Sequence, residues 1–214
     1  MSCRQCAGLE RVFGQRAARN DLRRYRRGGP RRTTVMLIRA LVDEGVDGAE
    51  VIDIGGGVGA IALALLEAGA VAARLVDASR AYLIVAEEEA ERQGLRERMS
   101  FRFGDFTELA EDESPAEVVT LDRVICCYHD VAALIDSSAS RATKLYGLVY
   151  PRDNLVTRLG SRLANALIAL TGTGYRAFVH REAEVERLVA GTGLVRVFHS
   201  RLGIWQVAVY RRES

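Results

Sequence analysis

Apolar and polar positions alternate along this chain in two rhythms. Short apolar runs closed by glycine or aspartate read as buried strands, and longer stretches with apolar residues three and four apart read as helices. The first helical stretch runs from about Leu9 to Arg27 and ends at Gly28-Gly29-Pro30, where glycine and proline break it. Thr33 or Thr34 is expected to cap a second helix carrying Val35, Met36, Leu37, Ile38, Leu41 and Val42, which stops at Gly45. Strands are predicted at Val51 to Ile54, Ala72 to Val76, Met99 to Phe103, Val118 to Leu121 and Leu145 to Tyr150. Helices are predicted at Ile61 to Leu66, from a Ser79 cap through Tyr82, Leu83, Val85 and Ala86 to Gly94, and at Leu155 to Leu170 and Glu182 to Ala190. Two consecutive strands, Leu194 to Phe198 and Ile204 to Tyr210, flank a bend at Arg201 to Gly203. Strands alternating with helices imply an α/β domain with a parallel sheet, whose ligands bind outside the carboxyl ends of the strands.

The first strand runs straight into Gly55-Gly56-Gly57-Val58-Gly59-Ala60 and then a helix. Glycine allows close backbone approach to a ligand, and the helix start offers unpaired N–H groups, so this reads as a nucleotide cradle, with a glycine-rich turn that holds no ligand as the plainer alternative. Two nucleotides compete for it. Gly55, Gly57 and Ala60 satisfy the dinucleotide fingerprint G-x-G-x-x-G/A, with Asp77 at the expected distance beyond. However, Asp53 stands two residues before the first glycine, where it would repel a pyrophosphate but attract an ammonium or sulfonium.

Asp53 followed by Gly55, Gly57 and Gly59 resembles motif I of class I S-adenosylmethionine-dependent methyltransferases. Gly104-Asp105-Phe106 after the third strand, the two leading helices and the paired terminal strands resemble the same family. The resemblance spans about residues 30 to 210. It implies a Rossmann-like seven-stranded sheet with helices on both faces, strands 1–5 parallel and an antiparallel strand 7. It also implies S-adenosylmethionine as cofactor. By that resemblance, Asp53 and the Gly55, Gly57, Gly59 turn face the methionine part, and Asp77 accepts both ribose hydroxyls with Ala78 beside it. Asp105 accepts from the adenine amino group with Phe106 at the ring, and Asp122 and Arg123 touch the donor from the fourth strand.

Methyl transfer is an in-line displacement that runs largely on proximity, so protein groups need only orient the acceptor and take its proton. Tyr128 and His129, in the loop after strand four, are candidates for base or positioner, with His180 further on. The stretch Tyr175 to His180, the acidic helix after it and Asp122 to Tyr128 are similar to magnesium-protoporphyrin O-methyltransferases. Those enzymes carry a histidine before the tyrosine where this chain has Cys126 and Cys127. No N/D-P-P-Y/F/W sequence occurs, which by resemblance disfavours methylation of nucleic-acid base amino groups. Leu155, Leu159, Leu163, Leu167 and Leu170 form one stripe with Arg158 and Arg162 beside it; this suits cover over a hydrophobic small-molecule substrate, and core packing explains it equally well.

Composition adds compartment and charge. The chain has 214 residues, 49% hydrophobic, enough for one domain with a substantial core. No apolar run reaches membrane-spanning length and no signal peptide opens the chain, so a cytoplasmic protein is expected. The net charge is +2, yet residues 1–32 hold ten arginines against Glu10 and Asp21. Residues 1–30 are therefore read as an Arg-rich helical arm and 31–214 as the methyltransferase domain. The arm is either a solvated helix face or a patch for RNA, an anionic membrane surface or an acidic substrate, and scarce aromatics disfavour nucleic acid. Cys3/Cys6 is at most half a zinc site, and adjacent Cys126 and Cys127 are expected to point apart, so free thiols and a metal-independent chemistry are expected. The pattern leaves the oligomeric state open.

Overall fold

A computed structural model describes residues 12–170 and 172–213. The expectations for Cys3 and Cys6, and for the first turns of the leading helix, lie outside these residues. The described elements run α1 (Gln15–Gly28), α2 (Arg32–Asp43), β1 (Glu50–Ile54), α3 (Ala60–Glu67), β2 (Ala72–Asp77), α4 (Arg80–Arg92), β3 (Met99–Phe103) and α5 (Phe106–Leu109). They continue with β4 (Ala116–Asp122), α6 (Val131–Ala139), β5 (Ala142–Pro151), α7 (Leu155–Ala169), α8 (Glu182–Ala190), β6 (Leu194–Leu202) and β7 (Trp205–Arg212). The strands form one sheet in the order β3-β2-β1-β4-β5-β7-β6. Neighbours from β3 to β5 pair in parallel, and β7 runs antiparallel to both β5 and β6. The order reverses between β1 and β4, and that crevice is where an open α/β sheet receives its ligand.

Each face of the sheet buries its own core. Val51, Leu75, Val118 and Leu145 pack under α2, α3 and α4. Ile52, Val76, Val119, Leu121 and Tyr146 pack under α6 and α8. Near-continuous apolar strands are what a sheet covered on both faces requires.

The leading helix is fastened to the domain. Leu22 is 2% exposed and packs with Ala18 against Val58, Tyr82 and Val85. Burial of one such leucine contributes about 1.5–3 kcal/mol. Arg26 donates to Glu89 at 2.7 Å and to Glu88 at 3.1 Å, and Arg19 pairs with Glu88. Those arginines are therefore tied to α4.

Two local expectations change. The cap position of α2 is Arg31, without a side-chain cap, and Thr33 and Thr34 lie inside the first turn, buried. Their hydroxyls are used elsewhere, as described below. The helix α6 was not expected; Asp130 caps it by accepting from Ala133 N at 3.0 Å.

Candidate functional site

A cavity of about 890 Å³ opens at the carboxyl ends of β1, β2 and β4 and extends beneath α1, α2 and α7. That is the size of a small-molecule site, which spans about 300–1,000 Å³.

The glycine turn forms its floor, and its glycines act for different reasons. Gly57 adopts φ 58° in the left-handed region, and its N–H donates to Asp77 Oδ2 at 3.2 Å. Gly56 has no such backbone demand. A Cβ there would stand 2.5 Å from Asp53 Oδ2 and 2.9 Å from Leu75 Cγ, so this position, missed in the motif, is glycine for want of space. Gly59 does not line the cavity; it starts α3 and lets that helix pack on Leu75 and Ala86. The other expected donor-side residues, Asp53, Gly55, Gly57, Asp77, Ala78, Asp105, Phe106, Asp122 and Arg123, all line the cavity.

Carboxylates gather at this end. Asp53 is fully buried; Oδ1 accepts from Thr120 Oγ1 at 2.7 Å, and Oδ2 has no partner. Burial, aided by the charges of Asp122 and Asp77, pushes its carboxyl up to about 7. Asp77 joins two loops, accepting from Gly57 N and from Ser79 N at 2.8 Å, and burial pushes it up to about 6. Asp122 is also raised by burial, against the pull of Arg123, and its Oδ1 lacks a hydrogen-bond partner. Three carboxylates held above their ordinary range, two with an oxygen that no hydrogen bond satisfies, suit a ligand that brings its own positive charge. The ammonium and sulfonium of S-adenosylmethionine meet that requirement, whereas a pyrophosphate does not.

At the end of β3, Asp105 caps α5, with Oδ1 accepting from Thr107 N at 3.0 Å and from Thr107 Oγ1 at 2.9 Å. Its Oδ2 accepts from Tyr128 Oη at 2.9 Å. Tyr128 lines the cavity, but its hydroxyl is committed to Asp105 and to Thr107, 2.7 Å away.

On the opposite side α2 contributes what its misread threonines were for. Thr34 Oγ1 donates to Asp122 Oδ2, and Arg123 Nη2 donates to Thr33 Oγ1, both at 2.5 Å. Arg123 has φ 63°, a left-handed backbone that a side-chain-bearing residue rarely adopts. Its N–H donates to Val149 O at 2.8 Å, and its guanidinium lies 4.8 Å from the centre of the Trp205 ring. Strain of this kind persists where surrounding contacts over-determine it.

The two histidines are not brought to the cavity. His129 is exposed, with its ring against Tyr128. His180 is bonded through Nε2 to Ile125 O at 2.8 Å and stacks on Phe178. Neither is among the lining residues. The cysteines depart from expectation in the other direction. A 3-10 turn over Ile125–Cys127 aims both thiols at Arg123 O, at 3.3 and 3.5 Å, leaving the sulfurs 3.9 Å apart. Cys127 Sγ also meets Tyr175 Oη at 3.1 Å. The neighbouring thiol lowers Cys127 and raises Cys126, whose burial adds to the rise.

The cover over the cavity was less legible. Phe13, Arg24 and Tyr25 come from α1 and the residues before it, Val156, Gly160 and Ala164 from α7, Phe178 from the following segment and Trp205 from β7. The amphipathic spacing of α1 and α7 and the resemblance over Tyr175 to His180 pointed to part of this cover, and nothing in the sequence pointed to Trp205.

Residues 51–144 match the family model described as a methyltransferase domain. The chain thus carries a methyltransferase domain over that stretch. Its methyl donor is S-adenosylmethionine, and it is an enzyme that transfers methyl groups. The structure of this methyltransferase is similar to magnesium protoporphyrin IX methyltransferase from Synechocystis PCC 6803 with bound SAH. The TM-score is 0.77 at 20% identity, covering 98% of this chain and 100% of that one. An O-methyltransferase family protein from Burkholderia thailandensis gives a TM-score of 0.71 at 17% identity, over 95% of this chain and 61% of that one. An O-methyltransferase family 2 protein from Planctomyces limnophilus DSM 3776, in complex with apigenin, gives 0.60 at 18% identity, over 87% and 63%. No curated protein matches the chain in sequence. Among the described residues no helix is long and apolar enough to cross a membrane.

Proposed function

We propose that the chain methylates a small, partly apolar acceptor inside the cavity. The observation that carries this reading is the division of the cavity wall. Carboxylates and glycines line the strand ends, while Val124, Val156, Phe178, Ile204 and Trp205 line the space beyond. When bound, S-adenosylmethionine supplies a methyl group on a sulfonium, and in-line displacement gives the methylated acceptor, the neutral thioether and one proton. The chain's residues hold and align. In this reading Asp77 takes the ribose hydroxyls with its remaining lone pairs, and Asp105, locked by Thr107 and Tyr128, fixes the adenine side. Asp53 and Asp122 answer the positive charge, and the covering helices exclude water. Tyr128 acts as a positioning residue through Asp105, and the acceptor's proton leaves to solvent or to Asp122, whose raised affinity suits it. The Planctomyces neighbour, in complex with apigenin, is in keeping with a small-molecule acceptor. Salt bridges that tie Arg19 and Arg26 to α4 weigh against the arginines of α1 serving as an RNA surface.

Calorimetry with S-adenosylhomocysteine tests the site. Asp77→Ala is expected to weaken binding at least tenfold, since a charge-assisted hydrogen bond contributes about 1.5–3 kcal/mol. Unchanged affinity refutes the ribose assignment, and NADH binding tighter than S-adenosylmethionine refutes the whole reading. Incubation with methyl-labelled donor and fractionated extract is expected to label an apolar small-molecule fraction, and label in RNA or protein refutes the acceptor class.

A further inference from the structure

The leucine stripe of α7 does not pack. Leu155 and Leu170 are 83% and 84% exposed, and Leu159, Leu163 and Leu167 are 69%, 64% and 60% exposed, while Thr157 alone is buried along the helix. The adjoining flank, through Val156, Gly160 and Ala164, lines the mouth of the cavity. The helix is anchored from one side, where Asn165 donates to Ala177 O at 2.7 Å and Ser161 bonds the same carbonyl. A contiguous row of large exposed aliphatic side chains marks an interaction surface.

Two observations choose its occupant. The first is charge. Arg158 is paired with Asp153 at the start of the helix, but beyond it Arg162, Arg176 and Arg181 follow with no acidic residue from Asn154 to Arg181. Arg158 and Arg162 sit beside the leucine row, one helical turn apart. Arg23 and Arg27 of α1 and Arg32 at the start of α2 are exposed. The second is area. A helix of 15 residues is about 22 Å long and about 10 Å wide. Pairing two such faces buries on the order of 450 Å², against about 1,200–2,000 Å² in a stable protein interface. A lipid surface needs no matching partner shape, and an amphipathic helix with leucines on one side and arginines at its border enters the headgroup boundary.

We propose that α7 is an interfacial helix that docks the enzyme on an anionic lipid surface, with the cavity mouth facing the bilayer. The exposed arginines are attracted to the lipid phosphates and the leucines enter the acyl boundary. The surface is independent of the donor site, so its test needs no methyl transfer.

The full chain is mixed with vesicles of phosphatidylcholine, with and without phosphatidylglycerol, and floated through a density gradient. The chain is expected to rise with the phosphatidylglycerol vesicles at low salt and to rise less at high salt. The double variant Leu159→Gln/Leu163→Gln is expected to partition at least about tenfold less, and Arg162→Glu to lose binding chiefly on the anionic vesicles. Both leucines are exposed, so an unchanged thermal midpoint and unchanged S-adenosylhomocysteine affinity show that the double variant is folded. Failure of the native chain to float, or equal flotation of the double variant, overturns the proposal. A concentration-dependent dimer in sedimentation that the double variant dissolves, without flotation of the native chain, assigns the face to a second copy and also overturns it.

Discussion

Replacing Asp53 by asparagine is expected to stabilise the ligand-free enzyme while weakening its hold on the methyl donor. Asp53 is fully buried, with Thr120 Oγ1 on one oxygen and no partner on the other. Its carboxyl is raised from the ordinary 3.8 to about 7, by burial first and by Asp122 and Asp77 after it. The sign follows directly. Between those values the native state holds a proton that the unfolded chain has released, so stability falls as pH rises from about 4 to 7 and levels above that. At about 1.36 kcal/mol per pKa unit, the carboxylate costs on the order of 4 kcal/mol above pH 7, and about a third of that at about pH 5. Asparagine removes the charge but leaves a buried N–H without an acceptor, which takes back about 1–2 kcal/mol. The net gain is therefore about 2–3 kcal/mol at about pH 8 and close to zero at about pH 5. Urea unfolding of both proteins at the two pH values measures it, and the comparison cancels the slope that Asp77 contributes to each. Calorimetry in parallel is expected to show S-adenosylmethionine bound at least about tenfold more weakly by the variant, for want of the charge. A variant no more stable than the native chain at the higher pH, or one with the same gain at both, refutes the electrostatic account.

Gly56→Ala, although its backbone is ordinary, forces a Cβ onto Asp53 Oδ2 and is expected to cost about 1–3 kcal/mol of stability and most donor affinity; normal binding in calorimetry counts against the crowding argument. Burial pushes the Glu89 carboxyl up, but Arg92, Arg26 and Gln93 overcome it and hold it near 2, so its stabilising effect is complete above the ordinary carboxylate range and lost as pH falls through about 2. Glu89→Gln is accordingly expected to destabilise by about 3–5 kcal/mol and to free α1 for proteolysis, whereas a variant as stable as the native chain in urea refutes this. His129→Gln is expected to leave turnover within about twofold, because the ring lies outside the cavity. A loss of a hundredfold or more shows that the loop turns inward during catalysis.

The half of the cavity wall built from strand ends was legible. A strand's face and terminus follow from local periodicity, so Asp53, Asp77, Asp105 and Asp122 were placed by counting along the chain. The other half is built from loops and covering helices, where periodicity says which residues share a face but not what that face meets. Thr33 and Thr34 carry the residue type of a helix cap, yet Asp122 and Arg123 across the crevice claim their hydroxyls. His129 and His180 have the right chemistry for a base, and the loop after β4 turns them away. Cys126 and Cys127 are sequence neighbours whose side chains a 3-10 turn brings to one carbonyl. The helix α6 escaped notice because its polar second half, Asp136 to Ser138, masks its apolar face.

Sequence alone determined the alternation of strands and helices, the glycine cradle and the acidic rim, since each depends on contacts within a few residues. Tertiary structure alone decided that Gly56 is glycine because Asp53 and Leu75 crowd it, that the arginines of α1 are partly spent on α4, and that the leucines of α7 face outward. Those facts depend on what lies across the fold. The same apolar stripe that covers a core in one protein stands open in another, and only the packing of the rest of the chain tells them apart.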